Sequence, residues 1–133
     1  MFSYRHGFHA GNHGDVLKHV VLVQLLAYLT AKEAPLWFVD THAGAGAYAL
    51  DTPFALKRGE FRDGIGRFWD KADLPPALSD YLAQVKKMNP DGELRHYPGS
   101  PQVALQMLRE QDRLSSSSCT APRARSCRSS MRT

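Results

Sequence analysis

The sequence predicts an α/β fold, in which a long apolar helix is followed by a short apolar strand and a glycine-rich turn. Hydrophobic residues make up 43% of the 133-residue chain, so a core can form, and the length suits one small domain. A strand that leads directly into glycines is typical of the carboxyl edge of a parallel sheet, where open α/β proteins bind their ligands. The turn is therefore the first place to expect a ligand.

The basic charge of the chain is confined to its C-terminal end. The net charge is +4, but residues 1–112 contain 12 basic and 13 acidic side chains, whereas residues 113–133 contain five arginines and no acid. Whole-chain charge is therefore poor evidence for nucleic-acid binding. Both cysteines also lie at this end, so no disulfide framework is expected, as suits a cytoplasmic protein. The longest apolar run, Val20 to Leu29, is too short to span a membrane, and no signal peptide is recognisable.

The first predicted element is a helix from Asp15 to about Glu33, preceded by a glycine-punctuated arm. Its apolar residues recur at helical spacing with further apolar residues between them, which predicts a mostly buried helix. The recurring residues are Val16, Leu17, Val20, Val21, Leu25 and Leu29. Asn12 or Asp15 is expected to cap the start, because a short polar side chain there can accept a free N–H group of the first turn.

A helical insertion is predicted for residues 50–92. The stretch from Phe61 to Trp69 favours a short helix that its glycines weaken, and a better helix opens at Pro75-Pro76 with Asp73 as its expected cap. The apolar face of this second helix comprises Leu78, Tyr81, Leu82, Val85 and Met88.

The chain is then expected to return to the core in residues 93–112. Glu93 to Tyr97 is predicted to form a second strand, and Ser100 to cap the helix that follows, because serine is a preferred N-cap. Residues 113–133 are rich in serine and arginine and have no apolar periodicity. That composition predicts either a disordered tail or a segment produced by a shifted reading frame.

The chemistry of the sequence is concentrated after a predicted buried strand, Leu36 to Asp40. The strand ends in an acid, and Gly44 and Gly46 follow in the turn, where the missing Cβ atoms let a ligand approach the backbone closely. Asp40, Gly44 and Gly46 together predict a site for a nucleoside cofactor. His42 lies where methyltransferases often have their first glycine.

Three interpretations of this turn remain open at this point. Gly44 to Ala49 matches the G-x-G-x-x-A dinucleotide fingerprint, which also requires a second acid-ended strand about twenty residues later. Glu60 and Asp63 lie near that distance, but in a helix-like stretch. The second interpretation is a turn that holds S-adenosylmethionine, and the third is a tight turn without a ligand.

Four histidines near the N-terminus raise the question of a metal site. His6, His9, His13 and His19 do not have the spacing of a tight zinc pattern, and no cysteine accompanies them. We expect no metal there, and we expect these side chains to form local hydrogen bonds or to contact RNA.

Three segments occur together and in order: SYRHGFHAGNHGDVLKH at the N-terminus, DTHAGAGAY after the first strand, and YPGSP before the last helix. They closely resemble the RlmJ family of 23S ribosomal RNA adenine-N6 methyltransferases. The resemblance extends from about residue 1 to about residue 112.

The resemblance implies a Rossmann-like S-adenosylmethionine-dependent methyltransferase fold, here incomplete, with a small helical subdomain inserted at residues 50–92. Residues 1–49 and 93–112 would then belong to the methyltransferase core. The residues implied to contact S-adenosylmethionine are Lys18, His19, His42 and Ser100, beside Asp40, Gly44 and Gly46 of the turn. Tyr4 is implied to touch the substrate RNA or the target adenine, and its ring offers a face on which a flipped base can stack.

The sequence lacks the family's catalytic motif. Adenine amino-methyltransferases of this type use Asp/Asn-Pro-Pro-Tyr/Phe at the end of a later strand, but the only Pro-Pro pair here follows Leu74 and precedes Ala77. No catalytic residue is therefore assigned. The acid that the family carries on the strand after the last helix is also absent, because position 118 is a serine.

These gaps predict a truncated chain that is inactive alone. We also expect it to be marginally stable or prone to aggregation, because its first helix and strand would be partly uncovered. The leading interpretation is a cytoplasmic rRNA adenine methyltransferase by family, with S-adenosylmethionine as cofactor and 23S ribosomal RNA as partner. The alternative is a non-catalytic RNA-binding remnant that uses Tyr4 and the helical insertion. A nicotinamide enzyme built on the G-x-G-x-x-A segment is the third.

Overall fold

The computed structural model describes residues 6–117, so Tyr4 and residues 118–133 lie outside it. Its helices and strands are α1 (His13–Thr30), β1 (Trp37–Asp40), β2 (Ala47–Ala49), α2 (Pro53–Arg58), α3 (Glu60–Asp63), α4 (Pro76–Lys86), β3 (His96–Pro98), α5 (Ser100–Met107) and β4 (Arg113–Ser116). Short 3₁₀ turns occur at His6–Phe8 and Ile65–Arg67. The architecture therefore mixes helices and strands, as predicted. None of the helices within residues 6–117 has the length and apolarity to cross a membrane.

Helix α1 begins where one of the two expected caps places it. The Asn12 side-chain oxygen accepts the Asp15 N–H at 2.9 Å, so Asn12 is the N-cap. The prediction of a mostly buried helix is wrong, because only one side of α1 packs on the core, through residues such as Val23 and Leu26. The opposite side carries an exposed apolar stripe. Its residues are Leu17, Val21, Leu25 and Tyr28, three or four positions apart.

Strand β1 pairs in parallel with β4, and this pairing corrects the predicted boundary of the tail. Residues 113–116 form a strand, although an irregular segment was expected from residue 113 onward. The reason is a turn anchored by Asp112, whose carboxylate accepts the Leu36 N–H at 2.8 Å and the Arg109 N–H at 2.8 Å. The turn brings the chain alongside β1, where the Arg113 N–H donates to the Leu36 carbonyl at 2.8 Å.

The faces of β1 differ in their surroundings. Phe38 packs against the core, whereas Trp37 and Val39 are 66% and 54% exposed. The prediction of a buried strand is therefore wrong for one face. The expectation that the first helix and strand are partly uncovered is confirmed for the residues that the structure describes.

A second, antiparallel pair joins β2 to β3, with Tyr48 opposite Tyr97. Strand β2 was not predicted, and β3 begins at His96 instead of Glu93. The late start follows from Asn89, whose buried side-chain oxygen accepts the N–H groups of Arg95 and His96 at 2.9 Å each. This contact makes the preceding residues part of a turn.

Helices dominate residues 50–92, the stretch in which the sequence predicted a helical insertion. Helix α4 begins after Pro75 without a side-chain cap, so the predicted cap at Asp73 is wrong. Helix α4 packs against α1, and its buried residues Tyr81 and Val85 join the same hydrophobic core as Val23 of α1. Within the described part of the chain, residues 50–92 thus share one core with the elements around them.

Helix α5 starts differently from the prediction. Gly99 is at the N-cap position, and Ser100 is the first helical residue. The expected capping role of Ser100 is therefore wrong, because its hydroxyl donates to Asp40 instead. A Cβ at Gly99 would lie 2.4 Å from the Ala45 carbonyl oxygen, so only glycine fits where α5 approaches the glycine turn.

Candidate cofactor site at the carboxyl end of β1

The carboxylate of Asp40 connects three elements at the end of β1. One oxygen accepts the His42 N–H at 3.1 Å, and the other accepts the Ser100 hydroxyl at 2.5 Å. Strand, glycine turn and the start of α5 therefore converge on one side chain. The sequence predicted that Asp40, His42 and Ser100 all belong to the site, but not that Asp40 holds the other two.

The structure requires glycine at one of the two glycine positions of the turn and not at the other. Gly44 has a φ of +61°, and a Cβ there would lie 2.8 Å from the Tyr48 hydroxyl, so the chain itself requires glycine. At Gly46 a Cβ would meet nothing within 4 Å, and φ is not positive. No neighbour within the described residues accounts for the absence of a side chain at Gly46.

The turn is also fixed from its other sides. The Gly46 carbonyl accepts the Gly99 N–H at 2.9 Å, which joins the turn to the start of α5. The Ala43 N–H donates to the Ser117 carbonyl at 2.9 Å, and the Ser117 hydroxyl donates to the Thr41 carbonyl at 3.0 Å. The end of β4 therefore supports the turn, a contribution that the sequence did not indicate.

Asp15 organises the first turn of α1. Its buried carboxylate hydrogen-bonds to His6 Nε2 at 2.8 Å, accepts the Gly11 N–H at 3.0 Å, and lies 3.3 Å from Lys18 Nζ. Burial alone raises the pKa of Asp15, but the hydrogen bond from His6 and the charges of His6 and Lys18 outweigh it, so the pKa is lowered. The Lys18 ammonium remains largely exposed and available to a second anion.

His19 is buried and only half satisfied. Its Nδ1 lies 2.8 Å from the Tyr97 hydroxyl, whereas its Nε2 has no hydrogen-bond partner among the described residues. Burial lowers the pKa of His19 to about 4 against the opposing charge of Asp15, so the ring is neutral at pH 7. The charge of Asp40 also acts on this pKa, which ties His19 electrostatically to the end of β1.

Of the two remaining N-terminal histidines, His9 has a hydrogen-bond partner that is distant in sequence. His9 Nδ1 lies 2.9 Å from a Glu60 oxygen, and this hydrogen bond is the largest cause of the lowered pKa of Glu60. His13 is exposed at the start of α1. Among residues 6–117, no group of three or more His, Cys, Asp or Glu side chains is arranged to hold a metal ion.

The geometry argues against the dinucleotide interpretation. Its fingerprint requires a helix that opens at the glycine turn, but β2 follows the turn instead. Glu60 and Asp63 lie in helix α3 and not at a strand end. A shallow depression of about 260 Å³ beside α4, lined in part by Leu74, Leu82 and Lys86, contains none of the candidate cofactor residues.

The structure thus divides the predicted site into two groups. Asp40, His42, Gly44, Gly46 and Ser100 meet directly or share one turn, and Lys18 and His19 lie together on α1. Sequence reasoning missed three residues: Tyr97, Gly99 and Ser117. Tyr97 and Gly99 are part of the YPGSP segment, so that segment was the available signal for them.

Comparison with known proteins decides the family. The family model described as "Ribosomal RNA large subunit methyltransferase D, RlmJ" matches residues 33–131. The chain belongs to the RlmJ family. The resemblance inferred from the three sequence segments is therefore confirmed, and the family match continues through most of the tail that composition had set apart.

Individual relatives agree with this assignment. Ribosomal RNA large subunit methyltransferase J of Haemophilus influenzae is 51% identical over 114 residues, which is 85% of this chain and 41% of the relative. The Escherichia coli protein of the same name is 52% identical over 114 residues, which is 86% of this chain and 41% of the relative. The crystal structure of protein LPL1258 from Legionella pneumophila matches with a TM-score of 0.76 and 41% identity, over 84% of this chain and 40% of the other. The chain thus spans about two fifths of the length of these relatives.

Proposed function

We propose that this chain forms the cofactor-binding part of an enzyme that transfers a methyl group from S-adenosylmethionine to an adenine N6 of 23S ribosomal RNA. Its membership of the RlmJ family and the printed names of both curated relatives support methyl transfer to ribosomal RNA. The observation that carries the cofactor assignment is Gly46, where a side chain would enter open space and the protein itself does not require glycine.

The surroundings of His19 and of Gly46 both fit S-adenosylmethionine. His19 Nε2 is a buried polar atom without a partner in the described residues, and such atoms are rare unless a ligand or water satisfies them. The open space at Gly46 adjoins a turn held by Asp40 and Ser100 through hydrogen bonds. A nucleoside cofactor with a charged amino-acid part suits both a polar donor and a close backbone approach.

Each residue then has a role that its surroundings allow. Lys18 attracts the carboxylate of the cofactor, because its ammonium is exposed and only partly neutralised by Asp15. His19 and His42 hydrogen-bond to the cofactor, and the glycine turn leaves space for it. Tyr4 stacks on the target base. Bound S-adenosylmethionine supplies an electrophilic methyl group, and these residues only bind it and orient it.

The chain alone is expected to lack methyl transfer. An adenine amino group must be bound and aligned with the methyl donor, and the Asp-Pro-Pro-Tyr motif that would do this is absent from the sequence. Radiolabelled methyl transfer from purified chain to ribosomal RNA would contradict this expectation. The non-catalytic alternative has weaker support, because two basic residues of the insertion, Arg58 and Arg67, already face Glu60 and Asp63.

Calorimetric titration with S-adenosylhomocysteine tests the assignment. We expect the unaltered chain to bind it and Gly46→Ala to bind about 5- to 150-fold more weakly, because a methyl group in contact with the ligand costs about 1–3 kcal/mol. Gly7→Ala is the matched control, since a Cβ there also meets nothing within 4 Å but lies outside the turn. Equal binding by both variants refutes the assignment to the turn. Binding of NADH, or of RNA without S-adenosylhomocysteine, would favour the other two interpretations.

A further inference from the structure

A chain of three buried side chains connects α1, α4 and β3. The Tyr81 and Tyr97 hydroxyls lie 2.9 Å apart, and Tyr97 lies 2.8 Å from His19 Nδ1. All three residues are at most 1% exposed. The predicted roles account for His19 as a cofactor contact but leave both tyrosines without a function.

The two hydrogen bonds that link these three side chains can run in either of two directions. In one, Tyr81 donates to Tyr97 and Tyr97 donates to His19 Nδ1, so the proton of the neutral ring lies on Nε2. In the other, Nδ1–H donates to Tyr97 and Tyr97 donates to Tyr81. Tyr97 is the only hydrogen-bond partner of the Tyr81 hydroxyl among residues 6–117.

Counting unsatisfied groups decides between the two directions. The first leaves one buried polar group without a partner, the Nε2–H of His19. The second leaves two, the bare Nε2 and the hydroxyl hydrogen of Tyr81. Since a buried group without its hydrogen bond is costly, the first direction is favoured by about fivefold or more.

We infer that Tyr97 is a positioning residue that fixes His19 as its Nε2–H tautomer, so that a buried N–H donor is presented to the ligand. The group that binds there must carry a hydrogen-bond acceptor, such as a carboxylate oxygen. This second part rests on the proposed function, whereas the tautomer follows from the geometry of the protein alone. Tyr81 acts on His19 only through its hydrogen bond to Tyr97 in this network.

The test is the nitrogen-15 NMR spectrum of the His19 ring at pH 7, recorded on the full chain. We expect a protonated Nε2 and an unprotonated Nδ1 in the unaltered protein. In Tyr97→Phe the donor to Nδ1 is lost, so the two tautomers should mix and the nitrogen shifts converge. Tyr81→Phe is the matched control, because it removes an equally buried hydroxyl but leaves the Tyr97 donor in place, and should keep Nε2 protonated.

A protonated Nδ1 in the unaltered chain, or the same tautomer in Tyr97→Phe as in Tyr81→Phe, overturns the inference. Addition of S-adenosylhomocysteine then separates it from the proposed function. If the Nε2–H signal moves in the unaltered chain, both stand. If the predicted tautomer is present and no signal of the chain responds to the ligand, Tyr97 keeps its positioning role and the proposed cofactor assignment fails.

Discussion

Gly99→Ala should destabilise the protein through one steric contact. The added Cβ would lie 2.4 Å from the Ala45 carbonyl oxygen and 3.3 Å from that of Gly46. Because side chains essentially never approach closer than 3.0 Å, the turn or the start of α5 must move by at least the 0.6 Å difference. That movement strains the hydrogen bond from the Gly99 N–H to the Gly46 carbonyl. Overpacking costs about 1–3 kcal/mol and a weakened hydrogen bond about 1 kcal/mol, so we expect a loss of about 2–4 kcal/mol.

Urea unfolding followed by Trp69 fluorescence measures this loss, since Trp69 is buried and donates to the Gly92 carbonyl. A stabilising osmolyte in every sample lengthens the folded baseline of the unfolding curve. Gly46→Ala is the control, because it makes the same chemical change at the residue that accepts the Gly99 N–H, without a steric contact. If Gly99→Ala unfolds at the same urea concentration as Gly46→Ala, the packing argument for the site is refuted.

Two further changes test the edges of this structure. Asp112→Asn should lower the free energy of unfolding by about 2 kcal/mol at pH 7, because two backbone N–H groups lose a charged acceptor. The pKa of Asp112 is depressed mainly by its hydrogen bond from Arg109. The carboxylate therefore contributes fully to the free energy of unfolding above its unfolded-state pKa of about 3.9, and this contribution is lost as the pH falls below that value. A stability difference between Asp112→Asn and the unaltered chain that persists unchanged down to pH 2 or lower would contradict this role of the Asp112 carboxylate. Leu17→Glu with Leu25→Glu should raise the soluble fraction after centrifugation while altering unfolding by less than about 0.5 kcal/mol, because both side chains are exposed. Val23→Glu, on the buried side of α1, should instead prevent folding.

Local chemistry explains which elements could be predicted. The start of α1 could be predicted because its cap, Asn12, lies within three residues of the group that it binds, and β1 could be predicted from its apolar run. Strand β4 was not, since Leu114 is its only apolar residue and the rest of the segment resembles a disordered tail. Its position is set by Asp112, which accepts the N–H of a residue 76 positions away. Sequence patterns contain no record of such a contact.

The candidate site shows the same division. An acid at a strand end and two glycines predicted the turn from adjacent residues, but the sequence gives Gly44 and Gly46 the same appearance. Only the structure separates the glycine that the backbone needs from the one beside open space. Packing also decides which polar atoms of the site lack a partner. His19 is an example, because the residue that hydrogen-bonds to its Nδ1, Tyr97, is 78 positions away in sequence.

The route of the chain explains how residues 50–95 can lie between Asp40 and Ser100 in sequence without separating them in space. The chain leaves the turn through β2 and returns through β3, and these strands pair antiparallel, so residues 50–95 begin and end at the same place. The Leu50 N–H donates to the Arg95 carbonyl at 2.8 Å and closes this excursion at its base. The 60 positions between Asp40 and Ser100 therefore impose little separation in space. Yet α4 packs on α1, and its Tyr81 is linked through Tyr97 to His19, so changes in α4 can reach His19 through the shared core. The candidate site thus depends on α4 for packing and on the β2–β3 pair for position.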